Sequence, residues 1–307
     1  MKSRWIQWGI IATLLVPGIP ASASYFSSDF SNWGGSTRAI GLGNAYAAGF
    51  ASSDSVFENP ASLDTGSARV NWRHYYEQNS VQNSISSEWA GVRLGFGYLR
   101  TGVSGITETD YDKESGQLSK TGTTFSYTGS EYRVSAAKAI SSDLDLGATA
   151  VYTLQELAGE TGTGLDMDLG VIYSPFSRLK LGFLGKNILE EGISWSTGSS
   201  DKRYREYRLG LAYWWEAGNR VLLDVSQKNN QTRYSIGLEH ALHRFIALRL
   251  GLDQEQLSIG VGTYIYHFNI EFAYTTELIS SDPYMIHLSI GYDFDMNSLP
   301  FHNTDIL

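Results

Sequence analysis

Residues 245–253 read FIALRLGLD, and every second position is apolar. In an extended chain Ile246, Leu248, Leu250 and Leu252 share one face, while Ala247, Arg249, Gly251 and Asp253 share the other. Three more stretches repeat the period: QLSIGVGTYI at 256–265, FNIEFAYT at 268–275 and YMIHLSIGYDF at 284–294. Their apolar faces carry Leu257, Ile259 and Val261, then Ile270 and Phe272, then Ile286, Leu288 and Ile290. Opposite them stand Ser258, Gly260 and Gly262, then Asn269 and Glu271, then His287, Ser289 and Gly291. Consecutive segments of about ten residues, each with period two, predict an all-β chain built as a transmembrane antiparallel up-and-down barrel.

The pattern extends toward the N-terminus. Leu165, Met167 and Leu169 oppose Asp166, Asp168 and Gly170; Leu209 and Leu211 oppose Arg208 and Gly210; Leu94 and Phe96 oppose Arg93 and Gly95. An Arg or Lys facing lipid at mid-bilayer costs about 2–4 kcal/mol, and the central apolar faces carry none. Arg249, Glu271, Asp166, Asp168 and His287 are therefore expected to face the lumen. Counting alternating segments predicts about fourteen strands. They begin near Ala68, Asn83, Val92, Tyr132, Leu144, Leu165, Leu179, Tyr204, Val221, Tyr234, Phe245, Gln256, His267 and Tyr284.

Connection lengths sort by parity. Those after odd strands include Thr101–Gly129, Leu154–Gly162, Ile188–Lys202 and Thr276–Pro283, expected as long outer loops. Those after even strands, such as Ile140–Asp143 and Ala241–Arg244, are short, as periplasmic turns are. Tyr98, Tyr173, Tyr213, Trp214, Tyr264, Tyr266, Tyr274 and Tyr284 cluster at strand ends, where an interfacial aromatic girdle belongs. A soluble β-sandwich with one wet face would need no such ends. The composition agrees: 13% aromatic residues, 19 Tyr, and 32 Gly against 6 Pro. A net charge of -9 argues against binding nucleic acid through its phosphates. There is no cysteine, so disulfides play no part.

Lys2 and Arg4, an apolar stretch from Trp5 to Val16, the breakers Pro17, Gly18 and Pro20, and Ala21-Ser22-Ala23 read together as a secretory signal peptide. The apolar stretch is too short to span a bilayer. The expected organisation is a signal peptide at 1–23, a hatch at 24–66, a barrel at 67–295 and a periplasmic tail at 296–307. Tyr292 and Phe294, alternate aromatics in the last strand, look like the signal read by barrel-assembly machinery.

Residues 24–66 do not alternate. Ser36 to Phe50 is rich in small residues and predicts a short helix. It is followed by Ser53-Asp54-Ser55-Val56-Phe57-Glu58-Asn59-Pro60-Ala61-Ser62-Leu63. Asn59 can cap its own turn, and Pro60 restrains Asn59 to an extended conformation. The small-residue stretch followed by Asn-Pro-Ala-x-Leu resembles the N-terminal hatch of the FadL-type outer-membrane family, and most of all its shorter branch containing PorV and PorQ. Ser62 stands where that family usually has glycine. The resemblance implies a fourteen-stranded barrel with the hatch in its lumen, and Asn59, Pro60 and Ala61 as gating residues. Physically, fourteen strands enclose more space than their own side chains fill.

Catalytic and cofactor signatures are missing: no Gly-x-Ser-x-Gly elbow, no phosphate-binding loop and no His-Glu-x-x-His. Asp166 and Asp168 read as a structural charge pair before they read as an active site. The expectation is a non-enzymatic protein without cofactor or metal, in the bacterial outer membrane. It would be a passive channel for hydrophobic or small molecules; the alternative is a non-transporting component of secretion or envelope assembly. Its expected partners are outer-membrane lipid, the assembly machinery, and a hydrophobic small molecule or secretion proteins.

Overall fold

A computed structural model describes residues 35–75, 78–111, 118–254, 256–278 and 284–294. The signal peptide and the C-terminal tail expected from the sequence lie outside these residues. Sixteen strands are described, β1 to β16 in chain order, and fourteen of them close into a barrel. The wall runs β1 (Ser67–Tyr75), β2 (Gln78–Trp89), β3 (Val92–Tyr111), β4 (Leu118–Ala139), β5 (Leu144–Leu157), β6 (Glu160–Phe176) and β7 (Leu179–Lys186). It continues with β10 (Glu206–Glu216), β11 (Asn219–Lys228), β12 (Gln231–His243), β13 (Ile246–Asp253), β14 (Gln256–Ile265), β15 (Phe268–Glu277) and β16 (Tyr284–Asp293). Every neighbouring pair is antiparallel, and β16 returns to β1 in register from Ser67↔Asp293 to Tyr75↔Met285. Closure leaves the wall no free sheet edge to satisfy in an apolar solvent.

The wall is inverted relative to a soluble protein. Leu209, Leu223, Leu238, Leu250, Ile259, Ile270 and Ile290 are 43–57% exposed, whereas the charged side chains between them point inward and are buried. On β16 the outward apolar run goes from Tyr284 to Tyr292. Eight steps make about 26 Å of strand, or about 20 Å of height at a tilt of about 40°. That is close to the apolar band of a membrane barrel, about 25 Å tall. Aromatics mark both rims. Tyr98, Tyr132 and Tyr152 lie side by side on β3, β4 and β5, with centroids 5.1 and 6.3 Å apart. Phe268 meets Tyr292 edge-on at 5.0 Å on the other rim. Two expected girdle residues are misassigned. Tyr264 is 5% exposed and points inward, and Trp214 packs against the interior.

One end of the barrel carries only tight turns: 90–91, 140–143, 177–178, 217–218, 244–245 and 266–267. The other end corrects the loop expectation. Thr101–Gly129 is mostly strand: β2 accompanies β3 only to Gly102, and β5 joins β4 only from Tyr127. The rest stands clear as a two-stranded ribbon, with exposed side chains on both faces and register shifts at Val103/Ile106 and Thr107/Thr109. Leu154–Gly162 is likewise strand, closed by a two-residue turn at Ala158 and Gly159. The segment 187–205 is a true insertion. It holds short strands β8 (Ile193–Trp195) and β9 (Ser200–Asp201), pairs with β6 through Gly162↔Trp195, and sends Arg203 into the interior.

Residues 35–66, the plug, are packed against inward-facing side chains of the wall. They form a five-residue helix α1 (Thr37–Gly41) and two 3-10 turns, Ser53–Val56 and Pro60–Ser62. The helix faces β13 to β16, the first turn faces β1 to β4, and the second faces β4 to β6.

Candidate functional site

A plug with so little regular structure cannot satisfy its own backbone, and buried amides and carbonyls must find partners. The wall supplies them. Arg73 donates to Gly35 O at 2.9 Å, Arg208 to Asn44 O at 2.6 Å, Lys186 to Phe57 O at 3.0 Å and Arg93 to Leu63 O at 2.9 Å. Wall acceptors serve the plug's N–H groups. Asp224 Oδ2 takes Tyr46 N and Ala47 N, both at 2.9 Å, and Asn71 Oδ1 takes Thr37 N at 3.2 Å. The inward charges of the strands are thus the hydrogen-bonding surface on which the plug is seated.

Apolar and π contacts complete the seat. Phe50 lies between the guanidiniums of Arg38 and Arg220, at 4.9 and 4.7 Å, and Arg208 covers the Tyr46 ring at 4.3 Å. Leu42, Tyr46 and Phe50 pack on wall residues Leu184, Ala212 and Leu222; Val56, Phe57 and Leu63 pack on Leu99 and Ala137. Small wall residues let the two backbones touch. A Cβ on Gly251 would sit 1.9 Å from Gly43 N, and one on Gly182 would sit 1.9 Å from Ala47 O.

The Asn-Pro-Ala turn is the tightest of these joints. Asn59 Oδ1 accepts from Ala61 N at 3.1 Å, capping its own turn, and its amide donates to Ala47 O at 2.6 Å. The same amide reaches Val171 O on β6 (3.3 Å) and Phe183 O on β7 (3.2 Å). Pro60 opens the second 3-10 turn, and Ala61 packs against Gly147 and Gly170. Ser62 donates to Asn59 O at 2.8 Å and shares a 2.9 Å bond with Ser55, bonds a glycine could not make.

Glu58 ties the two ends of the plug together. Its Oε1 accepts from Ser36 N at 2.9 Å and from the Ser36 hydroxyl at 2.6 Å, while its Oε2 is buried with no hydrogen bond among the described residues. Burial, opposed in part by the Ser36 bonds, pushes the Glu58 carboxyl up to about 7.

The five expected lumen charges all point inward and fall into three groups. Arg249 bonds Glu239 at 2.7 Å, Glu271 at 3.0 Å and the Tyr264 hydroxyl at 2.7 Å. Asp168 takes Arg133 at 2.8 Å and Asn187 N at 2.9 Å, while Asp166 takes Leu189 N at 3.1 Å, so this pair anchors the start of the inserted segment. His287 Nδ1 accepts from Arg73 at 3.1 Å. The charges that organise the interior were not singled out from the sequence. Glu239 meets Arg38, Arg220 and Arg249 at 2.8, 2.9 and 2.7 Å. Glu131 meets Arg133 and Arg203 at 2.9 and 2.8 Å. Both sit on the polar face of an alternating strand, which was the available signal.

No family model and no curated protein matches the chain in sequence. Solved structures match its shape. The toluene transporter TodX of P. putida aligns over 83% of this chain and 97% of its own, at TM-score 0.65 and 12% identity. The Ralstonia pickettii toluene transporter TbuX covers 85% and 98%, at TM-score 0.63 and 13% identity. A Pseudomonas aeruginosa FadL homologue covers 85% and 98%, at TM-score 0.63 and 10% identity. The fold is theirs. At these identities the likeness is one of architecture, and none of the three speaks for the narrower resemblance to PorV and PorQ.

Proposed function

We propose that this chain is a bacterial outer-membrane channel, a passive FadL-type barrel whose lumen is gated by the plug at residues 35–66. The observation that carries the reading is the way the plug is held: side chains of the wall grip its backbone inside a closed barrel. Such bonds can be exchanged for water without unfolding a strand. The Asn59-Pro60-Ala61 turn, seated on β6 and β7, is the latch. Among the three structural neighbours, two are named as toluene transporters, which supports a transport role for the shared architecture. Asp166 and Asp168 are spent on holding the inserted segment, which counts against a paired-carboxylate hydrolase.

The test is conductance in planar bilayers, wild type against an Asn59→Ala, Pro60→Ala double variant. Loosening the latch should raise the open probability. Equal, vanishing conductance in both would count heavily against a gate. A second reading, a non-transporting member of a secretion or envelope complex, draws on the density of charge-assisted bonds pinning the plug. Affinity purification from detergent-solubilised outer membrane separates the two, because a barrel recovered alone would sink the second.

A further inference from the structure

Between the plug and strands β1, β14, β15 and β16 lies a polar cavity of about 30 Å³, room for about two water molecules. Two atoms of its lining residues, Glu58 Oε2 and Asn269 Oδ1, are buried acceptors with no hydrogen-bond donor among the described residues. The cations around them are committed elsewhere. Arg38 bonds Glu239 at 2.8 Å, Arg69 holds Asp293, Lys186 donates to Phe57 O at 3.0 Å, and Arg208 covers Tyr46 at 4.3 Å. The acids on the cavity have donors of their own. Asp54 takes Asn71 at 3.0 Å and Ser84 at 2.7 Å, and Glu271 takes Arg249 and the Tyr264 hydroxyl, both at 3.0 Å. Glu58 is held by Ser36 alone, and no basic side chain bonds it among the described residues.

We propose that Glu58 and this cavity are a proton-operated catch on the gate: a protonated Glu58 keeps the plug seated, and loss of the proton releases residues 36–50. This rests on the gating reading and supplies its trigger. A protonated Glu58 presents an O–H to a cavity whose unbonded atoms are acceptors, so the tie between residues 36 and 58 is satisfied at both oxygens. An ionised Glu58 is a buried charge without a cation, a costly state. It is relieved when the plug parts from the wall and water reaches the carboxylate. The two Ser36 bonds favour the ionised form and burial opposes it; burial is the larger, so the carboxyl titrates at about 7. Seating is then strongest below the ordinary value of 4.5 and weakens as pH rises to about 7. That interval corresponds to on the order of a hundredfold in the seating equilibrium.

The experiment records single channels of the full chain in planar bilayers across and above the interval from about pH 4.5 to 7. Wild-type open probability should rise with pH, by on the order of a hundredfold, and level off above about 7. Glu58→Gln stays neutral and keeps the shape, so it should remain at the low-pH level throughout. Asp54→Asn removes a like charge that raises Glu58, so its rise should begin and end at lower pH. A heat-modifiable gel shift confirms that each variant folds; where Glu58→Gln does not, the displacement in Asp54→Asn carries the test. Three results would overturn the catch and leave the gate standing: wild-type conductance that ignores pH, a Glu58→Gln channel that keeps the wild-type rise, or an unmoved Asp54→Asn profile. No conductance at any pH, in wild type and in the Asn59→Ala, Pro60→Ala double variant alike, would overturn the gate and the catch together.

Discussion

Replacing Leu250 by Arg tests the wall assignment at its deepest point. Leu250 is 47% exposed and its in-register neighbours, Leu238 and Ile259, are outward and apolar at 43% and 51%. It lies four residues from Ile246 at the turn end of β13, or about 10 Å up a band about 20 Å tall. An arginine there has no water within reach of a short excursion and should cost about 2–4 kcal/mol. At 1.4 kcal/mol per decade this is about 30- to 700-fold in the folding equilibrium. Leu242, at the turn end of β12 and 61% exposed, supplies the internal comparison, because an arginine at the interface costs about 0–1 kcal/mol. The assay is reversible folding into phospholipid vesicles with denaturant titration. If Leu250→Arg folds as well as wild type, or loses no more than Leu242→Arg, the outward face does not meet hydrocarbon.

Other expectations follow from the plug. Glu58 carries a folded-state value near 7 against an ordinary 4.5. Its contribution to docking is therefore complete below about 4.5 and lost as pH rises through about 7. Hydrogen exchange at residues 36–50, normalised for intrinsic rates, should show protection falling between about pH 4.5 and 7 and level above that, and Glu58→Gln should abolish the dependence. Gly182→Ala places a Cβ 1.9 Å from Ala47 O; a protease should cut the displaced plug, and the barrel should unfold at lower denaturant than wild type. Glu239→Ala takes the carboxylate from Arg38 and Arg220 while Arg249 keeps Glu271, and should cost about 3–5 kcal/mol in the same vesicle titration.

The fourteen strands and their faces were legible because one face of each is apolar and the other is not. The lumen residues Arg249, Glu271, Asp166, Asp168 and His287 came from the same alternation. Legibility stopped where that contrast ended. Residues 103–111 and 118–126 form a ribbon wet on both faces, so their Thr, Ser and Gly carry no periodic signal and resemble a loop. The inward course of 187–205 was also hidden, since it depends on Arg203 reaching Glu131, 72 residues away. Asn59 was readable as a cap for its own turn. Its bonds to Val171 O and Phe183 O were not, because backbone carbonyls look alike in every sequence.

The grip of the wall on the plug also governs how the molecule folds. Arg73, Arg93, Lys186 and Arg208 complete their bonding on plug carbonyls, so an empty wall would hold cations with unfilled donors in a lumen of low dielectric. Wall and plug therefore stabilise each other and should melt in one cooperative transition. Excising residues 35–66 should produce a poorly folded cylinder, so the plug is expected to help the barrel fold as well as to serve as the gate proposed for it.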